Sequence, residues 1–281
     1  MYRSRDLGNA ATLIGGQPVE LETVIYEKKD HIAFVTLNRP EARNAYDDQM
    51  HGDLDKVWRD VRGDTNVWAV VLTGAGRDAF CAGRDVKELA EYQRQGREVP
   101  RYDPASPTYG QFGAYVHQYR VRKPIVGAIN GLAVGGGLMM LLSCDLRVMS
   151  DTAWLGDMHV NVGQLGGALR LVQALPYAVA CELALMGGRM NAQRAYEVGL
   201  VNRVVSYEEV LPEATRMAER VCEMAPLAVQ RSKELMQLFL QPEAGLEQLD
   251  EHYMADMRLT EDGREGPRAF REKRKPVWKG R

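Results

Sequence analysis

Two segments, FCAGRDVKEL at 80–89 and GLAVGGGLMML at 131–141, let small residues end a β-rich run just where an apolar helical pattern begins. The first N–H groups of a helix have no partner inside it, and the helix dipole adds about half a positive charge at that end. Two such N–H groups aimed at one carbonyl oxygen would stabilise the negative charge that develops there in a transition state, where losing one donor typically costs about 3 kcal/mol. Glycine suits such a turn because no Cβ keeps a ligand atom from the backbone. The same glycines also fit tight turns or close packing without any ligand, and residue types alone leave both readings open. No GxGxxG follows an early strand, which argues against a dinucleotide site.

The elements that must position these turns alternate between strand and helix. VIYEKKDHIAFVTLNRP holds two β-rich runs about a Lys-Lys-Asp turn, a hairpin pattern. Over residues 47–61, apolar Met50, Leu54, Val57, Trp58 and Val61 recur at helical spacing. VWAVVLTGAG and KPIVGAING read as buried strands and CDLRVM as another, an α/β succession. After residue 170 the pattern turns helical and ends in the basic tail REKRKPVWKGR. Residues 1–21 show no clear periodicity and read as an N-terminal arm. The polar, Pro- and Gly-rich residues 92–112 read as a surface loop able to act as a lid. The expected division is thus an arm at 1–21, an α/β core at 22–205 and a helical region at 206–281.

With 281 residues, 45% hydrophobic content, 26% charged residues and a net charge of −2, the chain can bury a sizeable core and has no charge excess directed at nucleic acid or membrane. Cys81, Cys144, Cys181 and Cys222 are widely spaced, with no CxxC and no clustered histidines, so they read as free thiols and no metal site is expected. Apolar runs such as 138–142 fall far short of the roughly 18 residues of a membrane span. The opening residues lack the apolar stretch of a signal peptide, so cytoplasmic residence is expected.

The succession HIAFVTLNRPEARNA, VVLTGAGRDAFCAGRDVKEL, KPIVGAINGLAVGGGL, CDLRV, NAQRAYEVGLVNRVV and EGPRAFREKRKPVW resembles the crotonase, or enoyl-CoA hydratase/isomerase, superfamily from about residue 22 to the C-terminus. The resemblance implies a spiral of ββα repeats forming two sheets, then a C-terminal helical trimerisation region, in homotrimers or dimers of trimers. It implies acyl-CoA substrates and no separate cofactor, coenzyme A entering as part of the substrate thioester. By family position, the N–H groups of Arg84 and Gly136 form the oxyanion hole. Ala82 and Lys87 are the best candidates to contact coenzyme A, with Arg39, Arg43, Lys273 and Lys275 as possible phosphate contacts. The basic tail equally fits a solvated charge run.

The chain departs from the family's two-glutamate hydratases. The first glutamate position is Met139, and the second falls on His159. A thioether cannot serve as a general base at neutral pH, whereas an imidazole can, so His159 is a candidate acid/base group and Asp157 a candidate to orient it or act directly. A structural histidine beside a capping aspartate is the alternative. The Arg84 side chain suits a second carboxylate or carbonyl on the substrate, a coenzyme A phosphate or solvent. Asp85 and Asp145 read as caps or loop anchors; Tyr109, Tyr115 and His117 are weaker candidates for the acyl pocket. The expectation is enolate chemistry on an acyl-CoA, with isomerisation or C–C cleavage and decarboxylation ranked ahead of hydration through His159. A non-catalytic acyl-CoA-binding protein is the competing class.

Overall fold

Asp30 and His31 adopt positive φ values of 47° and 67°, the two-residue turn that matches the twist of an antiparallel pair, and so close the expected hairpin. In the computed structural model, which describes residues 13–14, 17–97, 118, 120–240, 244–279 and 281, the hairpin is β3 (Val24–Lys29) with β4 (Ile32–Leu37). It follows a short pair, β1 (Leu13–Ile14) with β2 (Gln17–Pro18), within the segment read as an arm.

Parallel strands β5 (Ala69–Gly74), β7 (Ile125–Ile129), β9 (Leu146–Ser150) and β12 (Arg203–Val205) extend the hairpin into a six-stranded sheet, ordered β12-β9-β7-β5-β4-β3. Alternate residues of β5 serve two cores. Val70 and Leu72 pack with Met50, Leu54 and Trp58 of the helix Asp48–Gly63, and Ala69 and Val71 pack on the other face. A strand buried on both faces explains the unbroken apolar run seen in the sequence. A second sheet, β11-β10-β8-β6, comprises β6 (Ala79–Cys81), β8 (Leu132–Val134), β10 (Trp154–Gly156) and the antiparallel β11 (Met190–Asn191).

The helix Tyr207–Cys222, which opens the region expected to begin at 206, presents Val210, Ala214 and Ala218 to the large sheet and completes its second core. The segment read as a loop from residue 92 starts later, because the helix Val86–Arg94 runs through Tyr92, which is 4% exposed. Residues 98–112 of that loop, with Tyr109, Tyr115 and His117, lie outside the described residues. Among the described residues no helix is long and apolar enough to cross a membrane, and no group of three or more His, Cys, Asp or Glu side chains is placed to hold a metal.

The helix Gly136–Leu142 docks directly on the end of β6. A Cβ on Gly137 would overlap the Cys81 carbonyl oxygen and stand 2.7 Å from its carbon. Backbone cannot swing aside as a side chain can. Gly137→Ala is expected to cost about 3 kcal/mol. Gly52 is a control: it lies within the helix Asp48–Gly63 with nothing within 4 Å of a built Cβ, so Gly52→Ala should gain about 0.5–1 kcal/mol. Denaturant midpoints check both.

The hairpin is tied to the helix Asp48–Gly63 by Asp53, which is fully buried and accepts from Glu22 N, Thr23 N and the Thr23 hydroxyl at 2.9–3.0 Å. Burial pushes its carboxyl up, but these donors and Lys56 outweigh that and hold it below the ordinary aspartate value. With the folded value below the unfolded one, this stabilisation is complete above about pH 4 and is lost as pH falls through the folded value. Asp53→Asn should therefore lower Tm at neutral pH and flatten the loss of Tm on acidification, as read by thermal melts from pH 7 to 3.

Candidate active site

The residues after β6 turn back sharply, with Gly83 at φ 87°. Tyr46 forms an isolated parallel bridge with Arg84, in which Tyr46 N donates to Gly83 O at 2.9 Å and Asp85 N donates to Tyr46 O at 3.0 Å. In such a bridge the N–H of the central residue points away from its partner, so the Arg84 N–H faces opposite to Tyr46. The second turn lies alongside: a Cβ on Gly83 would stand 3.2 Å from Gly136 N. Gly135, at φ 54° and ψ −122°, takes a conformation that only glycine adopts readily, and Gly136 opens the helix with an N–H that has no acceptor in its own turn. The two expected donors thus sit on adjoining turns at the ends of paired strands β6 and β8.

His159 and Asp157 follow β10 and form a pair. Asp157 is 2% exposed, and its Oδ1 meets His159 Nδ1 in a short contact. With the carboxylate as acceptor, Nδ1 is the donor in this contact and Nε2 is left outside it. The imidazole lies over the second glycine turn, with Cε1 and Nε2 3.9 Å from a Cβ built on Gly135, and Gly166 backs it, a Cβ there falling 2.8 Å from the ring. At Gly167 (φ 78°), a built Cβ would meet the Met139 methyl at 2.7 Å, the Met139 sulfur at 3.3 Å and Asp157 Oδ2 at 3.1 Å. Met139 and the Asp157 carboxylate therefore adjoin a single point. A carboxylate at 139 would face another one, and two like charges this close raise the cost of ionising either.

The loop bearing this pair is braced by the C-terminal helix Glu261–Arg271. Gln164 Nε2 donates to Gly263 O at 2.9 Å, and a Cβ on Gly266 would meet the Val162 carbonyl carbon inside van der Waals contact. Trp278 Cζ3 lies 3.1 Å from a Cβ built on Gly163.

Arg84 contributes its backbone differently from its side chain. The guanidinium, 12% exposed, pairs with Asp48 Oδ1 at 2.6 Å and Glu88 Oε2 at 2.7 Å. Burial pushes the Glu88 carboxyl up, only partly offset by Arg84. For Asp48 the burial effect is overcome by hydrogen bonds from Tyr92 and Arg84, which hold it below the usual range. Since two carboxylates of the chain itself already take the guanidinium, the expectation that it meets a substrate carboxylate, a phosphate or solvent is not supported.

The candidate coenzyme A residues divide. Ala82 N donates to Arg43 O at 3.0 Å, and Lys87 stands exposed on the first turn of the next helix, so Arg43, Ala82 and Lys87 lie about one turn. Arg39 is inside that turn as a brace, its guanidinium paired with Asp47 at 3.1 Å and Asp85 at 3.0 Å. Lys273 and Lys275 follow the C-terminal helix, exposed; among the described contacts none joins them to this turn. Asp85 and Asp145 anchor as expected, Asp145 Oδ2 accepting from Ile125 N and Lys233 Nζ, each at 2.7 Å. Sequence reasoning missed Tyr46, Gly166, Gly167 and the Asp48–Glu88 clamp. Only Glu88 carried a local signal, its i,i+4 spacing from Arg84.

The model of the family described as enoyl-CoA hydratase/isomerase matches residues 27–281. The chain is 38% identical to the (E)-benzylidenesuccinyl-CoA hydratase of Thauera aromatica, over 92% of its own length and 99% of the relative's. It is 37% identical to a carnitinyl-CoA dehydratase of Proteus mirabilis (88% and 94% covered) and 33% identical to the short-chain-enoyl-CoA hydratase of Clostridium acetobutylicum (92% and 97%). The solved carnitinyl-CoA hydratase of Mycobacterium avium superposes with a TM-score of 0.81 at 36% identity, covering 92% of this chain and 99% of that one. With its two glycine turns intact and its sequence and fold matched almost end to end, this chain belongs to the enoyl-CoA hydratase/isomerase, or crotonase, family.

Proposed function

We propose that the protein hydrates a 2-enoyl-CoA, or dehydrates the corresponding 3-hydroxyacyl-CoA, with His159 as its single acid/base group. The observation that carries this reading is the Asp157–His159 pair, whose imidazole lies over the Gly135 turn beside the two backbone donors. The names of the similar proteins, hydratases and dehydratases, favour water addition over the isomerisation or C–C cleavage that the missing glutamates suggested.

The chemistry balances with one base. The N–H groups of Arg84 and Gly136 receive the thioester oxygen. His159 Nε2 takes a proton from water as the water oxygen bonds to C3, and the C2=C3 electron pair moves onto the thioester as an enolate held by the two donors. The Nε2 proton then passes to C2 as the carbonyl re-forms. Asp157 steadies the imidazolium between the two transfers. Met139 fills the adjoining volume without adding a second charge. Coenzyme A runs past Ala82, with Lys87 and Arg43 toward its phosphates, Arg39 shaping the turn and Lys273 or Lys275 as further cations. The exposed Leu227, Leu235, Met236, Leu238 and Phe239 on the helix Pro226–Leu240 support assembly into a trimer or a dimer of trimers.

Crotonyl-CoA, 3-enoyl-CoA, methylmalonyl-CoA and 3-ketoacyl-CoA test this. Wild type should consume the 2-enoyl ester with loss of conjugated absorbance and a mass gain of one water. His159→Gln and Asp157→Asn should lower kcat by about 10²–10⁴ while KM changes little. A double-bond shift without mass gain, loss of carbon dioxide, or tight binding without turnover would each reject hydration.

A further inference from the structure

A single residue touches both glycine turns through different atoms. The main chain of Tyr46 pins residues 83–85 through the two bonds of its bridge, while its phenol reaches the other turn. A Cβ on Gly136 would overlap the Tyr46 hydroxyl oxygen and stand 2.5 Å from Cζ and 2.6 Å from Cε1. The hydroxyl therefore occupies the space that a side chain at 136 would claim. We propose that Tyr46 is a positioning residue, a spacer that fixes how far the Gly136 N–H stands from the Arg84 N–H. The inference rests on the acyl-CoA reading of the site.

A spacer must itself be immobile, and Tyr46 is held on every side. It is 7% exposed, and the ring of His51, itself 1% exposed, meets it edge-on with centroids 4.7 Å apart. The preceding residues are locked to the strands: Asn44 Nδ2 donates to Ala75 O and Ala79 O, both at 2.9 Å, and Arg39 Nη1 donates to Ala45 O at 2.5 Å. Arg43 and Asn44 are both at φ 53°, a pair of left-handed residues that only such a network maintains. The Gly136 turn, by contrast, is made of three glycines with no side chain of its own to set its distance from the Arg84 turn, which the Asp48–Glu88 clamp holds. Hydrogen-bond strength falls steeply with misplacement, so a spacer acts on the thioester oxygen without touching it.

The test uses butanoyl-CoA labelled with ¹³C at the thioester carbonyl, a saturated ester that cannot be hydrated. Its bound carbonyl band, read by infrared difference spectroscopy, reports the donors alone and needs no turnover by His159. Wild type should shift this band to lower frequency than in free ester. Tyr46→Phe, which removes only the oxygen against Gly136, should lose at least half of that shift with Kd changed less than about threefold. On 2-enoyl-CoA it should lower kcat about tenfold at constant KM, less than the 10²–10³ of a donor lost outright. Tyr46→Leu should lose more of the shift. A full shift retained in both variants overturns the proposal, and so does a fall in Tm with the shift intact, which would make Tyr46 merely structural. If wild type itself neither binds nor shifts the ester, the acyl-CoA reading fails; if it shifts the ester but does not hydrate enoyl-CoA, only the hydration step fails.

Discussion

The absence of a side chain at Gly137 is the constraint on which the site depends. Because the first turn of the helix Gly136–Leu142 rests on the Cys81 carbonyl, the ends of β6 and β8 and the helix start are compressed into one small volume. That compression brings the Arg84 turn and the Gly136 turn side by side. Everything else at the site is arranged about it: Tyr46 beneath, His159 above Gly135, and Met139 two residues along the same helix. The three consecutive glycines answer to three different neighbours, a backbone conformation at 135, a phenol at 136 and a carbonyl at 137.

The site divides into a part made of backbone and a part made of side chains, and they sit on different supports. The two glycine turns follow the paired strands β6 and β8. The Asp157–His159 pair belongs to a loop leaving β10 and is backed by Gly166 and Gly167. On the proposed roles, this separation lets an acid/base group change while the two glycine turns stay intact. With Met139 in the helix, the carboxylate beside it comes from Asp157, two residues before the histidine, and the two positions could not both be acidic without mutual repulsion.

Local patterns made much of this legible. The hairpin, the Asp47-capped helix with its apolar stripe, the doubly buried strands and both glycine turns follow from residue types within short windows. The pairing of His159 with Asp157 was open to inspection because the two are neighbours in sequence. What escaped detection depends on contacts between distant segments. Nothing near Arg84 says that Asp48, 36 residues earlier, will claim its guanidinium, and nothing near Gly136 names Tyr46 as its neighbour. The helix Tyr207–Cys222 looked peripheral because its buried stripe is made of small residues, Ala214 and Ala218, whose role is to let the helix lie close on the sheet.

The docking of the C-terminal helix against the loop 160–164 ties the two ends of the site's architecture together in an unequal way. Gly263 and Gly266 meet that loop through backbone, and Trp278 closes over Gly163, so the chain's final segment is part of the frame around the imidazole. The Arg84 and Gly136 turns take their support from the paired strands β6 and β8 instead. On the proposed roles, loosening the helix Glu261–Arg271 would leave the two glycine turns in place while the His159 loop lost its brace. On that reading the C-terminal helix is a governor on the proposed proton transfer, acting through the frame of the loop and not through the two backbone donors.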